Sequence, residues 1–235
     1  LCVIPARNGS VGLPNKNMKN LNGKPLIQWT IESAVKSKLI SKIVLSSDSN
    51  KIIKFVKKKY KNIVEVPFKR PKNISNNNSP VSKPVIHAIK FYEKKNEKFD
   101  YVILLEPTSP IRFKSDIDNA VLKYLRTKNK FDGIISVGEV KINPFLFKTL
   151  SNNKIKNLFH FKNKNLNRQN FKKIFFPFGV IYLSKVKSYL KTKTFYNNKT
   201  MFYKIKVNQC YEIDDIYDFY CAETIIKKLG KLWSF

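Results

Sequence analysis

The sequence predicts an α/β fold on a mainly parallel sheet, and three observations carry that expectation. Short β-branched runs alternate with stretches of helical period, the order that builds parallel sheets. Tyr101–Leu105 (YVILL) is apolar without a break, as a central strand buried on both faces requires. A glycine-bearing loop separates the first strand from the first helix.

The elements follow in order. Leu1–Pro5 reads as a short buried strand, and the polar loop behind it runs to Lys24. Pro25 opens a helix over Leu26–Ser37, with Leu26, Ile27, Thr30, Ile31 and Ala34 at helical spacing. Lys42–Ser47 (KIVLSS) is the second strand; a helix through Ile52, Ile53 and Val56 and a short strand at Ile63–Val66 come next. Val81–Lys95 is helical through Val85, Ala88, Ile89 and Tyr92. Ser115 is expected to cap the helix after YVILL, with Asp116 and Asp118 in its first turn, where carboxylates suit the helix dipole. Gly133–Val137 is another strand, Gly179–Leu183 (GVIYL) resumes the sheet, and Asp215–Leu229 closes the chain as a helix. Between about 141 and 178 Lys and Asn dominate and no period holds, so that stretch reads as an inserted arm in a single domain spanning 1–235.

Composition narrows the function. The 235 residues include 46 Lys+Arg against 16 Asp+Glu, a formal net charge of +30, and 43% hydrophobic residues, too many for a disordered chain. No run approaches the ~18 apolar residues of a membrane span, and Leu1–Ala6 leads straight into the glycine loop rather than reading as a targeting leader. Cys2, Cys210 and Cys221 lack metal-ligand spacing and are expected to be buried free thiols in a reducing cytoplasm. The charge raises nucleic acid as a partner. However, there are only five Arg in the chain, the Lys are spread almost evenly, and no RNA-binding or helix-turn-helix pattern appears, so no specific nucleic acid is expected. The informative residues are the rare ones: five Arg, seven Gly and sixteen acids.

Two of the seven glycines fall in Arg7-Asn8-Gly9-Ser10-Val11-Gly12-Leu13-Pro14-Asn15-Lys16-Asn17. Glycine lets backbone N–H groups approach a phosphate, and Arg7 and Lys16 bracket the loop. The spacing fits neither a Walker loop nor a dinucleotide fingerprint. A structural turn and a phosphate-binding loop both remain open, and the pairing of cations with glycines favours the second. Near the other end, four acids (Glu212, Asp214, Asp215, Asp218) lie within seven residues. Asp215 and Asp218 suit a helix N-terminus. Glu212 and Asp214, two apart, point the same way on an extended segment and suit either that terminus or a hard cation.

Together the motifs are similar to the acylneuraminate cytidylyltransferase (CMP-sialic acid synthetase) family. The residues that carry the resemblance are Ile4–Ser10, Leu13-Pro14-x-Lys16-Asn17, Gly23–Ile27, Val44–Ser49, Arg70-Pro71, His87-Ala88, Leu105–Arg112, Arg168-Gln169, Gly179–Tyr182 and Glu212–Asp214. They keep one order over nearly the whole chain. The resemblance implies a Rossmann-like, doubly wound, mainly parallel sheet of the nucleotide-diphospho-sugar transferase type. It also implies an arm over 141–178 for dimerisation and a homodimer. The implied reaction joins CTP to an α-keto sugar acid, giving CMP-sugar and pyrophosphate with Mg²⁺. In matching positions, Arg7 and Lys16 would hold the triphosphate, with Gly9 and Ser10 in the same loop. Asn17 and Arg70 would contact the nucleotide, Glu106 the substrate, and Arg168 with Gln169 the sugar nucleotide. Glu212 and Asp214 would carry the metal. Asp48 is either a neighbour of the site or a turn residue, and His87 is expected to pack within its helix.

The sequence departs from the family pattern at several points. Val11 stands where Lys is usual, Glu106 where Gln is, Glu212 where Asp is, and Asn77 where Asp is frequent. Phe178 replaces a polar Asn, and Phe176 stands near an expected Arg. These changes leave the sugar open among N-acetylneuraminate, legionaminic or pseudaminic acid and a shorter keto sugar acid. They also leave open a nucleotide-binding relative with impaired catalysis, acting as a regulatory or scaffold subunit.

Overall fold

The computed structural model describes residues 1–230 other than 11, 77, 128–129, 141, 143 and 160–171. Its centre is a seven-stranded sheet made of β1 (Cys2–Pro5), β4 (Ile43–Ser46), β5 (Val64–Glu65), β6 (Tyr101–Leu104), β7 (Gly133–Val140), β10 (Ile174–Lys185) and β11 (Thr200–Lys204). The spatial order is β11-β7-β10-β6-β1-β4-β5. The β5, β4, β1 and β6 strands are parallel neighbours, and β11 is parallel to β7. Only β10 runs against both of its neighbours, β6 and β7. From β1 the chain winds outward through β4 and β5, then crosses back to place β6 on the other side of β1. That reversal opens a crevice at the carboxyl ends of β1 and β6, where ligands settle in open α/β sheets.

Alternation along the strands decides which helices cover which face. Cys2 and Ile4 of β1, Ile43 and Leu45 near β4, and Leu183 of β10 pack in one cluster. They meet α1 (Leu26–Lys36), α2 (Asn50–Lys59) and α4 (Asp116–Leu125) through Ile27, Ile31, Ile52, Val56, Ile117 and Val121. Val3, Val44, Leu104 and Tyr182 point the other way, toward α3 (Ser82–Glu93) and α5 (Val186–Thr192), which contribute Val85, Ala88, Ile89, Val186 and Tyr189. A third cluster seats α6 (Ile216–Leu229) on α1 through Phe219, Ala222 and Ile226 against Leu26 and Trp29. A small ribbon, β2 (Asn20–Leu21) with β3 (Lys24–Pro25), carries the first loop back to α1. Among the described residues no helix is long and apolar enough to cross a membrane.

Several expectations are corrected. The strand expected at Gly179–Leu183 runs from Ile174 to Lys185, because Ile174–Pro177 continue the pairing with β7 as far as Val140. The last residues of the stretch expected to be an arm therefore belong to the main sheet. The stretch also holds an exposed hairpin, β8 (Lys148–Ser151) with β9 (Lys154–Asn157), and residues 160–171 of it lie outside the described residues. Ser115 stands at the N-cap of α4, but its side chain accepts no capping hydrogen bond. Asp116 instead accepts from the Phe113 N–H at 2.6 Å, and the buried carboxylate is also held by Gln209 and Tyr203. The cysteines are free, yet only Cys2 is buried; Cys221 is exposed because it lies off the face that α6 packs on α1. Strand β11 and helix α5 have no counterpart in the sequence reading, since both lie in Lys- and Asn-rich stretches of short period.

Helix α6 shows local sequence acting directly. Asp215 accepts from the N–H groups of Tyr217 (2.8 Å) and Asp218 (2.9 Å), and Asp218 accepts in return from those of Asp214 and Asp215. This reciprocal capping satisfies N–H groups that the first helical turn leaves without partners. Asp215→Ala is expected to cost about 1 kcal/mol, lowering the melting temperature by roughly 2–4 °C in a domain of this size. Thermal unfolding by circular dichroism checks this.

Candidate active site

The crevice holds a cavity of about 250 Å³. Arg7 and Ser10 reach it from the loop after β1, Lys16 and Asn17 from the loop's closing turn, and Arg70 from the segment after β5. Glu106 and Thr108 enter from the end of β6, and Asp214 from the segment ahead of α6. Residues more than 200 positions apart thus meet at one end of the sheet. A larger cavity, of about 560 Å³, lies at the opposite end of β6, where Asp100, Tyr101 and Lys185 line it. Chemistry rather than volume therefore distinguishes the site.

The loop from Arg7 to Asn17 is anchored rather than loose. Asn17 Nδ2 donates to the Arg7 carbonyl (3.2 Å), and the Asn8 N–H donates to Asp48 Oδ1 (2.8 Å), which ties the loop to the segment after β4. Gly12 has a packing reason beyond any ligand, because a Cβ there would come within 2.4 Å of the Asp214 carbonyl oxygen. The closing turn buries Lys16, whose ammonium donates to the Ile213 carbonyl (2.6 Å) and to Asp214 Oδ1 (3.1 Å). An ammonium has three donors, so one remains for a ligand in the cavity. Gly9 is exposed on the loop beside Ser10.

Arg70 is buried against β4, with Nε donating to Ser46 Oγ (3.0 Å) and Nη2 to the Ser46 carbonyl. Burial, with the nearby Arg7 charge, brings its pKa down to about 10, so it stays cationic at neutral pH. His87 sets its ring edge-on to Phe68 at 4.4 Å. Its Nδ1 is buried without a partner, so it packs as expected but donates no hydrogen bond from that atom.

The acidic side of the site is built around Gly179. Its N–H donates to Glu212 Oε1 (2.6 Å), and Ser109 Oγ donates to the same oxygen (3.0 Å). A Cβ at Gly179 would lie 2.2 Å from Glu106 Oε2. Glycine is therefore what lets Glu106 and Glu212 approach the same backbone position. Burial, then the charge of Glu212, pushes the Glu106 carboxyl up to about 7. Glu212 and Asp214 are drawn to different partners, the first to Gly179 and Ser109, the second to Lys16.

Glu212 and Asp214 offer oxygen donors of the kind a hard divalent cation takes. Among the described residues no three His, Cys, Asp or Glu side chains gather closely enough to hold a metal alone. Two carboxylates completed by substrate phosphates are the usual provision for Mg²⁺. Both hydrogen bonds to Glu212 fall on Oε1, which leaves Oε2 as a ligand atom.

Of the residues singled out in the sequence, Arg7, Ser10, Lys16, Asn17, Arg70, Glu106 and Asp214 line one cavity, with Glu212 against Glu106 through Gly179. Arg168 and Gln169 lie outside the described residues, as do Val11 and Asn77. Sequence reasoning missed Ser109 and Gly179 as the holders of Glu212, although both stand in the quoted motifs. Arg112, one of the five arginines and part of a quoted motif, does not reach the cavity. Arg112 is fully enclosed and grips backbone carbonyls instead. Phe178 and Tyr182 are buried, whereas Phe175 and Phe176 are exposed.

The Glu106 value has a consequence for stability. It lies above the ordinary 4.5, so the folded chain holds the proton more tightly than the unfolded chain does. The stabilisation is full below about pH 4.5 and is lost as pH rises through 7. Glu106→Gln, measured with a chelator present, is expected to leave the melting temperature unchanged near pH 4.5 and to raise it near pH 8. An unchanged melting temperature at pH 8 would show that Glu106 carries no such penalty.

Comparison with known proteins agrees with this geometry. A family model described as cytidylyltransferase matches residues 1–229. A pseudaminic acid cytidylyltransferase of Campylobacter jejuni subsp. jejuni serotype O:2 is 30% identical over 227 residues, covering 97% of this chain and 96% of that protein. An N-acylneuraminate cytidylyltransferase of Streptococcus agalactiae serotype V is 31% identical over 221 residues, 93% of this chain and 51% of that protein. Among solved structures, a CMP:2-keto-3-deoxy-manno-octonic acid synthetase complexed with CTP superposes with a TM-score of 0.68 at 14% identity. That superposition covers 97% of this chain and 98% of the other, which is a likeness of fold. With a family model matched over nearly its whole length and the site's residues at the crevice of that fold, this chain belongs to the cytidylyltransferase family.

Proposed function

We propose that the protein activates a nonulosonic, sialic-acid-like α-keto sugar acid with CTP, releasing pyrophosphate and CMP-sugar. The observation that carries this reading is the convergence of Arg7, Lys16 and Arg70 with Glu106 and Asp214 on one cavity at the crevice. Two relatives of nearly equal identity are named for different sugar acids, which supports the class rather than one member.

In this reaction the anomeric hydroxyl oxygen bonds to the α-phosphorus as the bond from that phosphorus to the pyrophosphate oxygen breaks. Negative charge grows on the phosphoryl oxygens and the leaving group, so positioning and electrostatics dominate. Lys16, buried and pre-set by Ile213 and Asp214, offers its remaining donor to that charge. Arg7, at the start of the same loop, adds a second cation. Arg70, pinned on β4, and Asn17 are assigned to the nucleoside end, and Glu106 to the sugar acid, on the resemblance and their shared cavity. Gly9 and Ser10 shape the loop around the triphosphate. Arg168 and Gln169 are assigned to the sugar nucleotide on the resemblance alone. Glu212 and Asp214 would hold a divalent cation such as Mg²⁺, which when bound would supply charge neutralisation on the triphosphate.

The reading extends to a homodimer in the cytoplasm. The hairpin of β8 and β9 exposes Leu150 and Ile155 almost completely, at 81% and 71%, and Phe176 is half exposed. Leu150 and Ile155, register partners on the exposed hairpin, support a surface that a second copy covers. Leu150→Asp with Ile155→Asp is expected to halve the molar mass measured by light scattering.

The central test is pyrophosphate release from CTP, Mg²⁺ and a panel of keto sugar acids, including N-acylneuraminic and pseudaminic acids. Turnover with at least one nonulosonic acid is expected. CTP-induced thermal stabilisation with no turnover on any of them would sink the enzyme reading. Lys16→Ala is expected to cut kcat about 100-fold or more, and an unchanged kcat would remove Lys16 from the mechanism.

A further inference from the structure

We propose that Arg112 is a positioning residue for the reaction, its buried guanidinium fixing the backbone at Glu106 and Gly179 and so setting the two carboxylates, Glu106 and Glu212, that meet there. The inference rests on the cytidylyltransferase reading and assigns a residue that lines no part of the cavity. Arg112 is 2% exposed. Its Nε donates to the Val180 carbonyl (2.7 Å) and its Nη1 to Thr30 Oγ1 (2.8 Å). Its Nη2 donates to the carbonyls of Glu106 (2.7 Å) and Gly179 (2.8 Å).

These acceptors are the segments from which the site is assembled. Glu106 follows β6 by two residues, and its own N–H donates to the Gly179 carbonyl (3.1 Å). Between Pro177 and Tyr182 the register of β10 on β7 shifts, so the strand bulges and loses regular partners. Ser136 Oγ fills the β7 side of the bulge, donating to the Phe178 carbonyl (2.5 Å) and accepting from the Ile181 N–H (2.9 Å). Arg112 fills the other side. The bulge is what aims the Gly179 N–H at Glu212 and lays the Gly179 Cα against Glu106. Thr30 adds α1, the helix that follows the phosphate loop, to the same clamp.

A buried charge is a poor choice for stability alone, since apolar replacements of buried ionic groups are often neutral or stabilising. A planar fork reaching three carbonyls and a hydroxyl in fixed directions is instead suited to geometry. Arg112→Lys keeps the charge and loses the fork. Its kcat, counted per CTP-binding site, is expected to fall about 10-fold or more. KM for CTP is expected to stay within about threefold, because Arg7, Lys16 and Arg70 hang on other segments.

A second readout bears on the geometry directly. The chain has only seven glycines, so ¹⁵N-glycine labelling gives a sparse amide spectrum. The Gly179 amide is expected to exchange with solvent about tenfold faster in Arg112→Lys than in the wild type. Thr30→Val, which removes one acceptor and keeps the arginine, is expected to show the same pattern more weakly. It serves as the test variant if Arg112→Lys does not fold. Unchanged kcat per binding site, or unchanged Gly179 exchange in a folded variant, would overturn the proposal. Loss of kcat in step with CTP affinity would also overturn it, as a general loss of structure. A wild type that turns over no sugar acid removes the cytidylyltransferase reading instead. Gly179 exchange still decides then whether Arg112 holds the bulge.

Discussion

The guanidinium of Arg112 sits where β6, β10 and α1 converge. Placing a charge in the core is costly, by several kcal/mol for an unpaired ion. Here four hydrogen bonds from one cation offset that cost, and charge-assisted bonds are the stronger kind. Burial lowers its pKa only to about 10, so the cation persists at neutral pH. Two of the three carbonyls it binds, those of Gly179 and Val180, belong to a strand whose register shifts at a bulge, where the backbone needs donors from elsewhere. Ser136 and Arg112 together bind the backbone of β10, which runs antiparallel to both its neighbours in the seven-stranded sheet, at the point where the acids meet.

The same region resolves the charge of the chain. A net +30 spread mostly over exposed Lys says little about a binding partner, and it surrounds a site containing both signs. Lys16 stands on one side with Asp214, while Glu106 and Glu212 crowd against Gly179. Burial and like charge raise the Glu106 pKa, and a cation or a bound substrate donor relieves that crowding. The wider positive field adds electrostatic steering of anionic substrates. Electrostatics thus operates at two ranges, a diffuse one that attracts and a short one that orients.

Much of the architecture was legible because local physics and global fold agree. The apolar runs at Leu1–Pro5, Lys42–Ser47 and Tyr101–Leu105 became neighbouring parallel strands, and the helix at Leu26–Ser37 moved by a single residue at its end. The acidic start of the last helix is a capping pair, as Asp215 and Asp218 suggested. What failed was where tertiary context overrides propensity. β11 and α5 carry ordinary Lys-rich sequence and are held by packing, as with Tyr189 buried beneath Phe195. Ser115 holds the cap position without the cap's hydrogen bond, and the Asp116 carboxylate accepts from the Phe113 N–H ahead of the helix. The exposed thiol of Cys221 depended on which side of α6 faces α1, and an apolar flank alone did not reveal it.

The alternation of strands and helices, the cation-bracketed loop after the first strand and the acidic pair near the last helix are all legible in the linear chain. Those follow from periodicity, residue chemistry and spacing, which are properties of neighbours along the chain. The antiparallel run of β10 and its bulge near Gly179 come instead from contacts between distant segments. The same holds for Arg112 serving the backbone rather than a ligand, and for Glu106 and Glu212 sharing one glycine. Apart from the Arg112 contact with Glu106, each of these joins residues more than 30 positions apart. Such relations depend on packing in three dimensions, which periodicity along the chain does not encode.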